Sequence, residues 1–257
     1  CFEDANVIHI DGVINPVNDK EIVELELQLK DLETINKRHE SLKRTAGAGD
    51  KTALKEVEIL KQYHRHIESG NSARSLTIPN DESISELNLL TKKPVLYVCN
   101  VDDSSINGNK HTEMVKESIC NKDEEMLIIS GRTEAEINEF DSLDDKQDFL
   151  EAIGLDEPGV NKIIRSAYSL LGLHTFFTAG EKEVRAWTIK KGALAPEAAG
   201  VIHTDFEKGF IRAEVISFGD RLEFKTEHAC REAGKIFIEG KNYEVCDGDV
   251  IHFRFNV

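Results

Sequence analysis

The sequence predicts a mixed α/β fold with two long helices, an α/β sheet region and a small α+β domain at the end. Three patterns predict it. Apolar residues recur at helical spacing in two stretches, 19–44 and 54–67. Two almost unbroken apolar runs, 94–100 and 126–130, are separated by a helix-like span, as in a parallel sheet. From Gly172 onward, short strand-like segments alternate with turns.

The composition favours a soluble globular protein with room for two domains: of 257 residues, 31% are charged and 40% hydrophobic. The formal net charge of -16 argues against DNA or RNA binding by the surface as a whole. Basic and acidic residues are nearly balanced from Leu171 onward, so the last third is the part best able to face RNA. No apolar run approaches the ~20 residues of a membrane helix, so we expect no membrane partner.

The five cysteines lack CxxC spacing and predict neither a disulfide framework nor a zinc site. The histidines of the strand-rich region also lack a Cys or carboxylate at ligand spacing, so no metal site is expected. A reduced, cytoplasmic setting fits these features best. The first residue is not Met and no signal peptide precedes the first strand-like run, so we expect the chain to begin inside a larger protein.

The first part of the chain predicts a strand followed by a helical hairpin. The run from Asn6 to Ile10 is strand-like and ends in a turn. The small, glycine-rich segment 45–50 allows the two long helices to fold back antiparallel. The apolar positions of the first helix are Ile22, Leu25, Leu29, Leu32 and Ile35.

The two apolar runs predict fully buried parallel strands, from Pro94 to Asn100 and from Met126 to Ser130, with a helix over 109–121 between them. Ligands bind at the carboxyl ends of the strands in such sheets. We therefore expect one ligand loop after Asn100 and another at Ser130.

The rest of the chain predicts helices and then a strand-rich domain. Acidic helices cover about 134–140 and 144–152, and a solvated face is the simplest interpretation of the carboxylates in 134–157. Pro158 begins a helix that runs to Leu170. In the final domain we predict two helices, 196–202 and 228–233, and the following strands: 174–179, 183–189, 210–215, 235–238, 243–245 and 250–255.

The segment Gly47 to Thr52 superficially suggests a phosphate-binding loop. Such a loop needs GxxxxGK[ST] between a buried strand and a helix. Here Asp50 stands where the glycine before Lys51 should be, and helices flank the segment. We therefore interpret it as the turn of the helical hairpin.

The two strand ends form a better candidate site. Asn100, Val101, Asp102 and Asp103 have the spacing of the NKxD base-reading loop of P-loop GTPases, with Val101 where Lys is usual. An Asn amide can both donate to and accept from a purine edge, and a carboxylate three residues later can accept from guanine N–H groups. The segment Ser130-Gly131-Arg132 stands where those proteins place their SAK-type loop. Asn and Asp are also common turn residues, so a plain turn remains the alternative.

Several longer segments resemble one family, the YchF/Obg-like ATPases. The resemblance begins at Cys1 to Asp4 and covers essentially the whole chain. The segments that carry it are HTDFEKGFIRAEV at 203–215, FFTAG at 176–180, EVRAWT at 183–188 and DGDVIHFRFN at 247–256.

This resemblance implies an α/β fold made of the C-terminal part of a Ras-like P-loop G domain, an inserted α-helical hairpin and a C-terminal α+β β-grasp (TGS) domain. The implied bounds are 1–17 and 81–170 for the G domain, 18–80 for the hairpin and 171–257 for the TGS domain. The resemblance also implies a cytoplasmic, ribosome-associated protein that binds and slowly hydrolyses ATP. RNA contact through the TGS domain is a further expectation, and DNA binding is not expected.

In that family the loop matching Asn100 to Asp103 reads NxxE and favours adenine, with main-chain contacts from the residue after Asn. The resemblance therefore implies that Asn100, Val101, Asp103, Ser130, Gly131 and Arg132 hold the base. Asp103 departs from the family's Glu and is GTPase-like, so GTP stays open as an alternative to ATP.

The P-loop, the Mg²⁺-binding residues and the catalytic residues of the family precede the point where this sequence begins. We expect Mg²⁺ to be bound by that N-terminal segment and the chain alone to be inactive, without a catalytic residue. The alternative is a non-catalytic module that docks on the ribosome or RNA through the hairpin and the TGS domain.

Overall fold

A computed structural model of the protein describes residues 1–3, 12–79, 81–119, 124–180 and 183–256. The fold is mixed α/β, as the sequence predicts, and divides into two compact units, Cys1–Ser166 and Ala167–Val257. The predicted opening strand, 6–10, lies outside the described residues. Within the described ranges, no helix is long and apolar enough to cross a membrane.

The first unit begins with two long helices, α1 (Pro16–Gly47) and α2 (Lys51–Glu68), packed against each other. The predicted segment 47–52 spans the turn between them, which is formed by 48–50, and this confirms its interpretation as the turn of the helix pair. Asp50 is the N-cap of α2, and its Oδ1 accepts a hydrogen bond of 2.8 Å from the Ala53 N–H. The residue that rules out a phosphate loop by sequence therefore starts a helix.

The apolar stripe of α1 is only partly the packing face. Leu32 and Ile35 pack in a cluster with α2, but Ile22, Leu25 and Leu29 are 43%, 54% and 57% exposed. Polar side chains occupy the buried face instead: Gln28 and Asp31 are buried beside Ile35. Hydrogen bonds also attach this face of α1, as from Gln28 Nε2 to the Gly70 carbonyl at 3.2 Å, and apolar periodicity does not report them.

Asp31 is the most extensively bonded of these residues. Its carboxylate is 1% exposed and accepts hydrogen bonds from the Leu90 N–H (2.7 Å), the Thr91 N–H (2.8 Å) and the Thr91 hydroxyl (2.7 Å). Thr91 Oγ1 in turn accepts from the Ala73 N–H at 2.9 Å. The carboxylate thus ties α1 to the 3₁₀ turn Leu90–Lys92 just before the sheet.

Among the described residues, the sheet of the first unit has two parallel strands, β1 (Leu96–Asn100) and β2 (Glu125–Ile129). Their parallel pairing, with Asn100 opposite Ile129, is the one that the sequence predicts. The prediction that both strands are fully buried is wrong: Val98 is 41% exposed, and of β1 only Cys99 is buried. One face of β1 therefore has little cover within the described residues.

Shorter helices complete the first unit. They are α3 (Glu82–Ser85), α4 (Lys110–Ser118), α5 (Gly131–Glu139), α6 (Leu143–Ala152) and α7 (Gly159–Leu170), which continues into the second unit.

The second unit, in its described residues, is a five-stranded sheet with short helices. In spatial order the strands are β4 (Val184–Lys190), β3 (Leu173–Ala179), β7 (Val250–Phe255), β5 (Phe210–Ile216) and β6 (Phe237–Glu239). The helices are α8 (Ala195–Ile202), α9 (Thr204–Lys208), α10 (Phe218–Phe224) and α11 (Glu227–Glu232). One core cluster includes Phe176, Ala199, Val215 and Phe253, and a smaller one contains Ile216, Cys230 and Val250.

Two sequence-based expectations fail in this unit. The segment 243–245 forms only an isolated antiparallel bridge, between Glu244 and Leu194 in the loop before α8: the Ala195 N–H donates to the Tyr243 carbonyl and the Val245 N–H to the Ala193 carbonyl. Helices α9 and α10 were not predicted. Each is short and is set by its N-cap, and Ser217, which caps α10, is the sequence signal that could have revealed it.

Replacing Asp31 by Ala tests whether its carboxylate stabilises the contact between α1 and the 3₁₀ turn Leu90–Lys92. We expect the free energy of unfolding to fall by about 3 kcal/mol, because buried donors at Leu90 and Thr91 lose their acceptor. Urea denaturation followed by circular dichroism measures this. Asp141→Ala is the matched control; Asp141 is exposed, so its loss should change stability by less than about 0.5 kcal/mol. Equal changes in the free energy of unfolding for the two substitutions would show that the Asp31 hydrogen bonds do not stabilise the contact between α1 and the 3₁₀ turn.

Candidate nucleotide-base site

The parallel register of the sheet brings the two predicted loops together. Asn100 pairs with Ile129, and the Val101 N–H donates to the Ile129 carbonyl at 2.8 Å, which continues the pairing past the end of β1. Ser130 is therefore beside the residues that follow Asn100. We call Asn100, Asp103, Ser130, Gly131 and Arg132 the strand-end ledge.

Asn100 makes a direct contact between the two loops. Its Oδ1 accepts a hydrogen bond of 2.9 Å from the Gly131 N–H. A Cβ at Gly131 would lie 3.3 Å from that oxygen, so a glycine suits this approach. The Asn100 side chain is exposed, and its NH₂ group has no acceptor among the described residues. It is available to donate to a ligand.

Asp103 holds the second loop. Its Oδ1 accepts hydrogen bonds from the Ser130 hydroxyl at 2.6 Å and from the Thr133 hydroxyl at 2.8 Å. Ser130 Oγ also accepts from the Thr133 N–H at 3.2 Å, which caps α5. The loop at the start of α5 is thus fixed by one carboxylate oxygen.

The other oxygen of Asp103 faces a cation. Arg132 Nε lies 3.6 Å from Oδ2, but the Arg132 side chain is 79% exposed, so this pair is weak. Hydrogen bonds from Ser130 and then Thr133 lower the pKa of Asp103 below its ordinary value, and Arg132 adds to that shift. Asp103 is therefore a carboxylate at neutral pH, with Oδ2 able to accept from a ligand N–H.

Val101 differs from the other predicted site residues. Its side chain is 3% exposed and lies in the core. It can offer a ligand only its main chain, and its N–H is already used by the pairing with Ile129.

Two residues at this site were missed by sequence reasoning. Thr133 was overlooked although Ser130-x-x-Thr133 is a recognisable start of a helix. Glu134 was assigned to a solvated acidic face, which is wrong: its Oε1 accepts from the Gly159 N–H at 2.6 Å and its Oε2 from the Val160 N–H at 3.1 Å. It caps the first turn of α7, a long-range contact that no local pattern reports.

The ledge is open rather than enclosed. The cavity behind it, lined in part by Ser130, Thr133 and Glu134, has a volume of about 90 Å³, too small for a nucleotide base with its sugar. A base would therefore lie on the exposed side, where Asn100 and Gly131 are. In the described part of the chain, no group of three or more His, Cys, Asp or Glu side chains is arranged to hold a metal ion.

Thr133→Val tests the role of the hydroxyl on Asp103. A carboxyl whose folded-state pKa is lowered stabilises the fold above its ordinary pKa and loses that contribution as the pH falls through the lowered value. Removing one hydroxyl donor should raise the pKa of Asp103 toward the ordinary value, so the stability lost on acidification is smaller and the loss is complete at a higher pH. Carboxyl ¹³C NMR titration measures the pKa. The exposed Thr45→Val is the control, and an unchanged Asp103 pKa in Thr133→Val would contradict the assignment.

Comparison with known proteins places these features in a family. Residues 173–256 match the family model YchF-GTPase_C, described as a protein of unknown function. The chain is 45% identical to the ribosome-binding ATPase YchF of Bacillus subtilis (strain 168), covering 100% of this chain and 71% of that protein. It is 43% identical to Obg-like ATPase 1 of Xenopus laevis, covering 100% of this chain and 66% of that protein.

A solved structure agrees with the sequence matches. The Schizosaccharomyces pombe YchF GTPase superposes with a TM-score of 0.85 at 35% sequence identity, covering 98% of this chain and 70% of that chain. Agreement of sequence and fold over nearly the whole chain confirms the resemblance carried by the segments at 176–188, 203–215 and 247–256. The chain belongs to the YchF/Obg-like ATPase family.

Proposed function

We propose that the strand-end ledge binds the purine base of a nucleoside triphosphate, and that the protein is a ribosome-associated, nucleotide-dependent switch. The observation that carries this proposal is the Asn100–Gly131 hydrogen bond of 2.9 Å. It fixes the Asn100 amide with its oxygen turned to the protein, so the NH₂ group can donate to a ring nitrogen of a purine. The backbone at Gly131 adds a flat surface without a side chain.

ATP is the first candidate because the relatives from Bacillus subtilis and Xenopus laevis are named ATPases. One observation favours GTP: Asp103 Oδ2 has no hydrogen-bond donor within 3.5 Å among the described residues and can accept from guanine N–H groups. The relative of known structure, from Schizosaccharomyces pombe, is named a GTPase. Guanine offers two N–H groups on that edge whereas adenine presents a ring acceptor, which a carboxylate disfavours.

The finer architecture is part of the same proposal. We assign 1–17 and 81–170 to a G domain, 18–80 to a helical hairpin inserted in it and 171–257 to a TGS domain. The packed pair α1 and α2 supports the hairpin, and the mixed five-stranded sheet of the second unit supports a β-grasp domain. In this proposal the TGS domain contributes RNA contacts, Mg²⁺ accompanies the phosphates, and the protein acts in the cytoplasm.

The strand-end ledge supplies only base contacts. Phosphate and Mg²⁺ contacts provide most of the charge stabilisation in phosphoryl transfer, and the sequence contains no GxxxxGK[ST] loop. We therefore expect this chain to bind nucleotide weakly, with a dissociation constant of about 1 mM, equivalent to about -4 kcal/mol. We expect it to hydrolyse neither ATP nor GTP.

Nucleotide titration followed by ¹⁵N NMR tests the base site. Adding ATP or GTP should shift the backbone amide of Gly131, and Asn100→Ala should weaken binding about tenfold, because one hydrogen bond to the base is lost. Asn138→Ala is the matched control: Asn138 is exposed on α5 and away from the ledge, so the affinity should not change. An Asn100→Ala chain that binds as tightly as the control would contradict the proposal.

The Asp103→Glu variant separates the two bases in the same titration. We expect it to favour ATP over GTP relative to the unaltered chain, because the family resemblance implies that Glu at this position of the loop favours adenine. An unchanged ratio of ATP to GTP affinity would show that Asp103 holds the loop without selecting the base.

A docking module without catalysis is the second candidate. It is favoured by the packed helix pair, because residues 37–55 around the turn of that pair contain six Lys or Arg and two Asp or Glu, whereas the whole chain has a net charge of -16. Docking through this end would not require nucleotide hydrolysis.

A further inference from the structure

A cavity of about 380 Å³ lies in the second unit, between the sheet and the short helices α10 and α11. Ala179, Ile216 and Val250 line it from the strands β3, β5 and β7. Arg221 of α10 and Glu227 of α11 line it from the helices. The volume falls within the range of small-molecule pockets, about 300–1,000 Å³. The second unit therefore has room for a ligand of its own, apart from the strand-end ledge of the first unit.

The sheet side of this cavity is apolar. Ile216 and Val250 are opposite each other in the pairing of β5 with β7 and so share a face, and Ile236 packs against them in the smaller core cluster. Val184, which also lines the cavity, is 73% exposed and marks its opening to solvent. Among the described residues, none that lines the cavity is Phe, Tyr or Trp, so a nucleobase would find no aromatic ring to stack on. An aliphatic ligand suits this surface better than a base.

The two carboxylates that line the cavity already have cationic partners. Glu214, 8% exposed, accepts hydrogen bonds from Arg254 Nε and Nη2, each at 3.1 Å, and from Arg212 Nη2 at 3.2 Å. These bonds, with Arg254 the larger cause, lower the pKa of Glu214 below its ordinary value, so it stays a carboxylate at neutral pH. Glu227 Oε1 accepts from Arg231 Nη2 at 3.0 Å. A ligand cation would therefore have to compete with arginines that are already in place.

Two hydrogen-bond donors at the cavity have no such partner. The half-buried guanidinium of Arg221 and the ring of His252 make no side-chain hydrogen bond or ion pair within the part of the chain that the structure describes. His252 is opposite Glu214 in the pairing of β5 with β7, so both are on the face that lines the cavity. A partly buried guanidinium without a partner gains free energy when a carboxylate reaches it. The charge that this cavity is suited to bind is therefore negative.

The helix that carries Arg221 is held in place by neighbouring contacts. Asp220 accepts a hydrogen bond of 2.7 Å from Ser217 Oγ and lies 2.9 Å from Lys235 Nζ, which ties α10 to the segment before β6. The C-cap of α10 is Lys225, whose φ of 61° is in the left-handed region that non-glycine residues rarely adopt. Such strain persists where the surrounding structure holds it, and it is frequent at ligand sites. Arg221 is thus positioned before any ligand arrives.

We propose that this cavity binds a small carboxylic acid with a short aliphatic body, with its carboxylate on Arg221 and its body against Ile216 and Val250. A guanidinium can bind a carboxylate through two parallel hydrogen bonds. One free guanidinium near Glu227 suits a single negative charge better than a phosphate, because a doubly charged group would be repelled more strongly by that carboxylate. The site depends neither on the proposed base site nor on ribosome association.

Titration of the whole chain with octanoate, followed by ¹⁵N NMR, tests the site. Octanoate should shift the backbone amides of Ile216 and Val250 with a dissociation constant of about 1 mM. Octylammonium, which has the same aliphatic body and the opposite charge, should bind at least about tenfold more weakly, because the unpaired group is a cation. Arg221→Gln should weaken octanoate binding about tenfold, because a charge-assisted hydrogen bond is lost. The matched control is Lys208→Gln, which removes an exposed cation of the same unit that does not line the cavity and should leave the affinity unchanged.

A second variant, Ala179→Leu, narrows the cavity without changing its charges and should also weaken octanoate binding about tenfold, because part of the apolar contact is lost. Equal affinities of the Arg221→Gln and Lys208→Gln chains for octanoate would overturn the proposal, as would an unchanged affinity in Ala179→Leu. Octylammonium binding as tightly as octanoate, or octyl phosphate binding more tightly, would overturn the assignment of a carboxylate. ATP titration of the same variants should still shift the Gly131 amide, so failure of the base site would be seen separately.

Discussion

The candidate site depends on one carboxylate oxygen that holds two chain segments together. Asp103 Oδ1 accepts hydrogen bonds from Ser130 and Thr133, and the Asn100–Gly131 bond supports the same junction. Without these bonds the loops after β1 and β2 would be joined only by the backbone pairing at the ends of the two strands. The parallel register brings the loops together, and the side-chain bonds set their geometry.

Carboxylates also hold distant segments together elsewhere in the first unit. Asp31 accepts from backbone and hydroxyl donors at Leu90 and Thr91, and Glu134 accepts from the first two amides of α7. In each case a carboxylate satisfies backbone N–H groups that a turn or helix start would otherwise leave without partners. Gly159 fits the same junction closely, since a Cβ there would lie 2.8 Å from Ile129 Cγ2 and 2.9 Å from Glu134 Oε1. The strand-end ledge is thus supported by the start of α7.

Much of this fold follows from sequence patterns, and the misses have physical causes. The parallel strands were predictable because a short apolar run that ends on a polar residue, such as Asn100 or Ser130, is typical of a strand in a parallel sheet. The partners of Asp31 and Glu134 were not predictable, because they lie 59 or 60 and 25 or 26 residues away. The exposure of Ile22, Leu25 and Leu29 was missed because periodicity indicates a helix but not which face is covered. At the ledge, sequence reasoning named Asn100 and Asp103, whereas the hydrogen bond between Thr133 and Asp103, which are 30 residues apart, required the three-dimensional structure.

A crystal structure of the protein with a non-hydrolysable ATP analogue tests the central claim most directly. The account predicts the purine base on the exposed side of the strand-end ledge, with a ring nitrogen within hydrogen-bond distance of Asn100 Nδ2 and with the Asn100–Gly131 bond retained. A base bound elsewhere, with the Asn100 side chain still facing solvent, would contradict it.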